Sequence, residues 1–182
     1  MKKIAITLLM SFGALVSAQV IIGGKVGNAP VTNNSVLLQF ANTNDKGLVL
    51  PTVRTMPTSP TPGTLVVDGT NPNAARVKYY NGKSGDGWQD LSGTNGNVSS
   101  LLATQPETVN EKRESKTIIG DQNTSADGIL VLESATKAMV LPTVSDVQNV
   151  LNPTAGMMVF VNKSGSKRLA VYNGTVWSFW RP

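Results

Sequence analysis

Leu50-Pro51-Thr52-Val53 recurs as Leu141-Pro142-Thr143-Val144, and behind each stands Tyr-Asn-Gly, at 80–82 and 172–174, then a tryptophan, Trp88 or Trp177. Ordered landmarks repeated within one chain mark a duplicated structural unit rather than a single active site. The correspondence continues on both flanks. Val20, Ile21, Ile22 and Gly23 answer to Thr117, Ile118, Ile119 and Gly120, Leu38 and Phe40 to Leu130 and Leu132, and Lys46 to Lys137. Downstream, Gly63, Leu65 and Val67 match Gly156, Met158 and Phe160, and Arg76, Val77 and Tyr80 match Arg168, Leu169 and Tyr172. The offset slips only where Gly, Pro and Asn cluster, so the length changes fall in loops. The two units span residues 20–91 and 117–180, with 92–116 between them.

Alternation with period two gives the units their class. Val36, Leu38 and Phe40 share one face, as do Leu130 and Leu132, which predicts a half-buried strand in each copy. Leu48 and Leu50, or Met139 and Leu141, predict a second short strand that Pro51 or Pro142 closes, because proline has no N–H for a ladder. The apolar runs 65–67 and 157–161, each just after a glycine, predict the central strands. Residues 76–80 and 168–172 alternate again, with Val77, Tyr79, Leu169 and Val171 inward and the Arg and the Tyr-Asn-Gly tyrosine outward. Asn-Gly then predicts a type I′ turn, with both residues at positive φ. The copies diverge after the shared tetrapeptide. Ser145 with Gln148 three residues on reads as a capped helix start, and Val147, Val150 and Leu151 as the apolar face of a short helix. Pro57, Pro60 and Pro62 exclude a helix at the matching place in the first copy. Residues 92–100, rich in Gly, Ser and Asn, read as a flexible linker, and 107–116 as either a solvated helix or a disordered stretch.

The fold class is therefore mainly β: two tandem small β-rich repeats with hairpins, one short helix in the second, and a cleavable N-terminal signal helix over 1–18. That leader has Lys2 and Lys3, an apolar run from Ile4 to Val16, and the small residues Ser17 and Ala18, so cleavage is expected after Ala18. The run is shorter than the ~20 residues a bilayer core requires, so no membrane span is expected once it is removed.

Taking those eighteen from 182 residues leaves 164, enough for one ordinary domain or two small ones. Without the two leader lysines, fourteen cations face eleven acids, spread through both copies with no basic run, which speaks against nucleic acid as a partner. The chain has no Cys and no His. Without disulfides a repeat of this size is marginal alone and has to dock on its twin or on another chain. Without imidazole or thiol, the usual general base, the usual metal ligands and the Ser-His and Cys-His nucleophilic arrangements are all excluded.

The order of Ile-Gly opening, alternating strand, Lys before a Leu-Pro stop, Gly before an apolar strand, then Tyr-Asn-Gly and Trp resembles a repeat of secreted proteins of the Bacteroidota, tail-fibre-like and adhesin-like. The second copy carries it best, through Ile119, Gly120, Lys137, Leu141, Pro142, Gly156, Tyr172, Asn173, Gly174 and Trp177. The resemblance implies an exported, surface-associated, non-enzymatic β protein and brings no catalytic residue.

Candidate contact residues follow from what repeats and what does not. Arg76 with Tyr80, and Arg168 with Tyr172, form two matched outward pairs, read either as a recognition stripe or as plain cross-strand cover. Trp88 and Trp177 stand at matched positions and are expected to close their hairpins. Phe179 and Trp180 are the better ligand or interface residues, Trp180 having no counterpart. Asp68, Asp86 and Asp90 lie close in sequence but lack the spacing of a calcium loop. No catalytic, metal or cofactor site is assigned. The expected function is that of a secreted, non-enzymatic structural or adhesive cell-surface protein. Its expected partners are its own copies or other surface proteins. The alternative is an extracellular carbohydrate-binding module or binding subunit, with a glycan as ligand of the C-terminal aromatics.

Overall fold

The computed structural model describes residues 19–23, 35–107 and 115–180. The expected signal helix over 1–18 and most of the 107–116 segment lie outside the described residues. Among these, each copy carries seven strands in one order. Copy 1 has β1 (Val20–Ile22), β2 (Val36–Phe40), β3 (Leu48–Val49), β4 (Thr52–Val53), β5 (Leu65–Asp68), β6 (Arg76–Tyr80) and β7 (Trp88–Asp90). Copy 2 has β8 (Thr117–Ile119), β9 (Leu130–Leu132), β10 (Ala138–Val140), β11 (Thr143–Val144), β12 (Met157–Val161), β13 (Arg168–Tyr172) and β14 (Trp177–Trp180). The protein is mainly β, and among the described residues one short α-helix, α1 (Ser99–Thr104), lies between the copies.

The strand registers reproduce the sequence correspondence. In the parallel pairs β1–β2 and β8–β9, Val20 stands opposite Leu38 as Thr117 stands opposite Leu130. The sheets β4-β5-β6-β7 and β11-β12-β13-β14 share one plan, a parallel first pair followed by two antiparallel pairs. A parallel pair cannot be closed by a tight turn and needs a crossover of about a dozen residues. In copy 1 the proline-rich stretch after Val53 is that crossover. In copy 2 it holds a single 3-10 turn, Val147–Asn149.

That turn departs from expectation in detail. Asp146, not Ser145, caps it, its Oδ1 accepting from the Gln148 N–H at 3.2 Å. Only three residues adopt helical geometry, so Val147 and Val150 turn inward while Leu151 is 81% exposed. Where the turn covers the sheet, β12 and β13 place apolar Val161 and Ala170 beneath it, packed with Val144, Val150 and Val159. At the matching positions copy 1, with no such cover, has Asp68 and Lys78, joined at 2.8 Å.

The type I′ expectation is also corrected. Gly82 and Gly174 have positive φ but Asn81 and Asn173 do not. Each asparagine instead turns the chain with its side chain, Oδ1 accepting from Lys83 N in one copy and from Thr175 N and Val176 N in the other, each at 2.9 Å. Asx turns of this kind are the other way asparagine serves a hairpin.

The main core lies between the copies. Val67 and Val77 of copy 1 pack with Met158 and Val171 of copy 2, with Leu50 and Ala155 among them. The 92–100 stretch, read as a flexible linker, contributes to this core through Val98, followed by Leu102 of α1; both are buried, and Ala75 and Gly96 form an antiparallel bridge. Composition misleads here because the Asn and Ser side chains bond locally while the backbone is paired. Arg54 donates to the carbonyls of Leu102, which also accepts from the Gln105 N–H, and of Gln105, at the end of α1. Asn173, fully buried, donates to the Thr94 carbonyl at 2.8 Å.

Gly96 is held by close approach: a Cβ there would stand 1.8 Å from the Asn173 carbonyl oxygen. Gly96→Ala is expected to lower stability by about 2 kcal/mol or more, as overpacking does, and to expose the 92–105 segment to proteolysis. Gly85→Ala, at a positive φ with open space around it, should cost only about 1 kcal/mol of backbone strain. Urea unfolding midpoints compare the two, and equal midpoints would contradict the docking of this segment.

Candidate functional site

The six candidate contact residues are placed by the two hairpins and do different work. Tyr80 stands opposite Trp88 on β7, and Tyr172 opposite Trp177 on β14. Both ring pairs have centroids 5.3 Å apart and tilted planes, at 55° and 49°, the offset geometry that aromatic quadrupoles favour. The tyrosines are thus bound into their own hairpins. Arg76 donates to Asp90 at 2.7 Å and to Asn95 Oδ1 at 3.0 and 2.7 Å. Its counterpart Arg168 lies over the Phe179 ring, 4.3 Å from the centroid, a cation–π contact. Each arginine is therefore engaged within its own hairpin unit, and the two occupy unlike settings.

Phe179 and Trp180 close the chain's last strand, and both are exposed. Trp180 is 48% exposed, yet its Nε1 donates to the Leu91 carbonyl at 2.5 Å. That bond fixes the ring against copy 1. Ser178 donates to the Ser92 carbonyl beside it.

The carboxylates are consumed structurally. Partial burial would raise Asp68, but the Lys78 ammonium and the Thr70 hydroxyl and N–H outweigh it and hold the carboxyl below its ordinary value of 3.8. Burial likewise works against Asp90, and its bonds from Ser92 and Gly93, with the charge of Arg76, bring it below 3.8. Asp146 is lowered chiefly by the Gln148 N–H. The ion pair of Asp68 with Lys78 is diagonal, since the register sets Asp68 opposite Arg76 and Lys78 opposite Val66, and it had no sequence signal. Asp86 Oδ1 accepts from the Trp88 N–H, so the three acids of this region serve separate bonds.

What the hairpin residues do not explain is the surface where the copies meet. β10 lies parallel along β2, and β3 lies antiparallel along β12. Gly47 allows the second contact, since a Cβ there would meet Met157 Cγ at 2.5 Å. Beside it a shallow depression of about 370 Å³ is lined by Asp45, Lys46, Gly47, Val150, Leu151 and Met157. Large apolar side chains remain in solvent mainly on copy 2, at Ile129, Leu130, Val140, Leu151, Phe179 and Trp180 among others.

Residues 118–181 match the family model described as a phage tail like trimerisation region. The match covers about a third of the chain, from β8 through β14, and so takes in those six side chains. No curated protein and no solved structure matches the chain. Sequence reading had singled out Phe179 and Trp180 within the trimerisation-like region and passed over Ile129, Leu130 and Val140. Leu130 was placed with Leu132 on the half-buried face of its strand, and Ile129 and Val140 carried no assignment.

The lowered carboxyls predict a direction for acid stability. A group whose folded pKa lies below its unfolded value stabilises above the unfolded value and loses that contribution as pH falls through the folded one. Stability should hold down to about pH 5 and then decline as pH passes below 3.8. The double variant Asp68→Asn with Asp90→Asn should show a shallower acid decline in urea midpoints measured across that range. An unchanged slope would contradict the assignment.

Proposed function

We propose that this chain is an exported, non-enzymatic structural protein of the cell exterior, tail-fibre-like in build, that works as a homotrimer assembled through its C-terminal copy. The observation that carries this reading is the coincidence of the trimerisation match with the exposed apolar side chains of copy 2. A soluble chain gains by burying such side chains, at roughly 25 cal/mol per Å² of apolar surface removed from water. Export is supported by the basic start, apolar run and small residues ahead of Gln19. The non-enzymatic role is supported by the lack of His and Cys and by acids committed to structural bonds. An adhesive role at the surface goes with the tail-fibre-like order of the repeats.

Light scattering on the chain beginning at Gln19, at micromolar concentration, should give the mass of three chains. A single-chain mass at every concentration would overturn the reading.

A second reading, glycan binding, rests on the exposure of Trp180. Arg168 already lies over the Phe179 ring, so the stacking platform reduces to one indole. On this reading Trp180→Ala abolishes glycan binding and leaves the oligomer mass unchanged. Glycan binding that survives the substitution would rule the platform out.

A further inference from the structure

The contact between the copies is directional. In it β10, the third strand of copy 2, pairs with β2, the second strand of copy 1. At the same time β3, the third strand of copy 1, pairs with β12, the fifth strand of copy 2. The two third strands use opposite edges. Ala138 N–H donates to the Ser35 carbonyl, whereas Leu50 N–H donates to the Gly156 carbonyl. Ala138 is the counterpart of Gly47, three residues before Leu50, and backbone N–H groups three apart in a strand point to opposite sides. Copy 1 thus shows what one edge of a third strand is for, and copy 2 shows the use of the other.

Among the described residues the converse pairings are missing. β9, the counterpart of β2, is paired with β8 alone, and β5, the counterpart of β12, has no third strand at its Thr64–Leu65 start. Exposure follows the vacancy. Leu37 and Leu38 are 2% and 0% exposed beneath β10, while their counterparts Ile129 and Leu130 are 62% and 44% exposed. The glycines agree. A Cβ on Gly156 would meet Val67 at 2.5 Å across the copy boundary, and one on Gly120, closest to its own copy's Glu133 carbonyl oxygen at 2.1 Å, would also meet Leu37 of copy 1 at 3.1 Å. At Gly63 there is nothing within 4 Å, and Gly23 faces only its own copy's Ala41.

We propose that these two edges are filled by a second copy of this chain, docked head to tail in the manner of the contact already made within the chain. Its β3 lies parallel along β9, with Leu48 opposite Leu130 and Val49 opposite Val131. In return β10 enters beside its β5, with Met139 opposite Leu65 and Val140 opposite Thr64. These registers are carried over from Met139 opposite Leu38 and from Leu48 opposite Met158. The occupant is the chain itself because both third strands already show, within one molecule, the two halves of the same joint. A directional joint closes as a ring or runs on as a filament according to its rotation. The proposal rests on the trimer reading for its closure and adds the strands and the register.

The lack of cysteine makes the test clean. Chains carrying Leu48→Cys and Leu130→Cys, purified separately, refolded together and oxidised, should form a disulfide between the two variants. Replacing the second by Ile129→Cys, one residue out of register, should lower the yield at least five-fold. Leu130→Lys, at a site exposed in the single chain, should weaken self-association at least ten-fold with the far-ultraviolet circular dichroism unchanged. A three-chain species that gives no 48-to-130 cross-link would overturn the strand pairing and leave the trimer standing. The cross-link in open-ended polymers would support the pairing and overturn the trimer. A single-chain species throughout would overturn both.

Discussion

A strand too short to stand in its own sheet is the element on which this structure depends. β3 and β10 each end at a Leu-Pro step, where the missing proline N–H stops any ladder. With only two and three residues, neither makes a sheet with its own copy. Each completes one of the other copy's sheets. The shared core follows from this, since Leu50, which comes straight after β3, lies between Val67 of one copy and Met158 of the other. The duplication is therefore two units whose sheets are finished only by exchange.

The same dependence explains how the copies have drifted apart. The outer face of the β12–β13 ladder is covered by the turn around Val147 and is apolar, while the matching face of copy 1 is open and carries Asp68 with Lys78. The pair is partly buried, with both side chains keeping some access to water, so its net contribution to stability stays modest. Its use is to keep an uncovered sheet face soluble, and the residue types follow the cover. The Tyr–Trp pairs, by contrast, are retained at the same separation in both hairpins, because each depends only on the two strands that hold it.

Local order was legible in the residues. The period-two runs found the β2, β6, β9 and β13 strands, the continuous apolar runs found β5 and β12, and the proposed match of Leu38 with Leu130 is the match that the two parallel ladders make. Departures came where one segment's conformation is set by another far along the chain. The 92–100 stretch has a linker's composition, yet Gly96 pairs with Ala75 and lies against Asn173. Leu130 has the parity of a core residue, and it is one in the counterpart Leu38; whether such a side chain is covered depends on a strand from elsewhere, which periodicity cannot see. Asn81 and Asn173 were read through the commonest hairpin dipeptide, but a side-chain turn satisfies the same geometry.

Pairing β2 with β10 also orders events during synthesis. About a hundred residues separate Val36 from Ala138, so on a ribosome adding 5–20 residues per second the strand waits roughly 5–20 s for its partner. Throughout that interval β2 has β1 along one edge and nothing of its own chain's β10 along the other. Until it arrives, the β10 of another chain can take the same place, since an unpaired strand edge is a template for pairing. The joint within a chain then competes with the joint between chains, and the local concentration of chains sets which forms first.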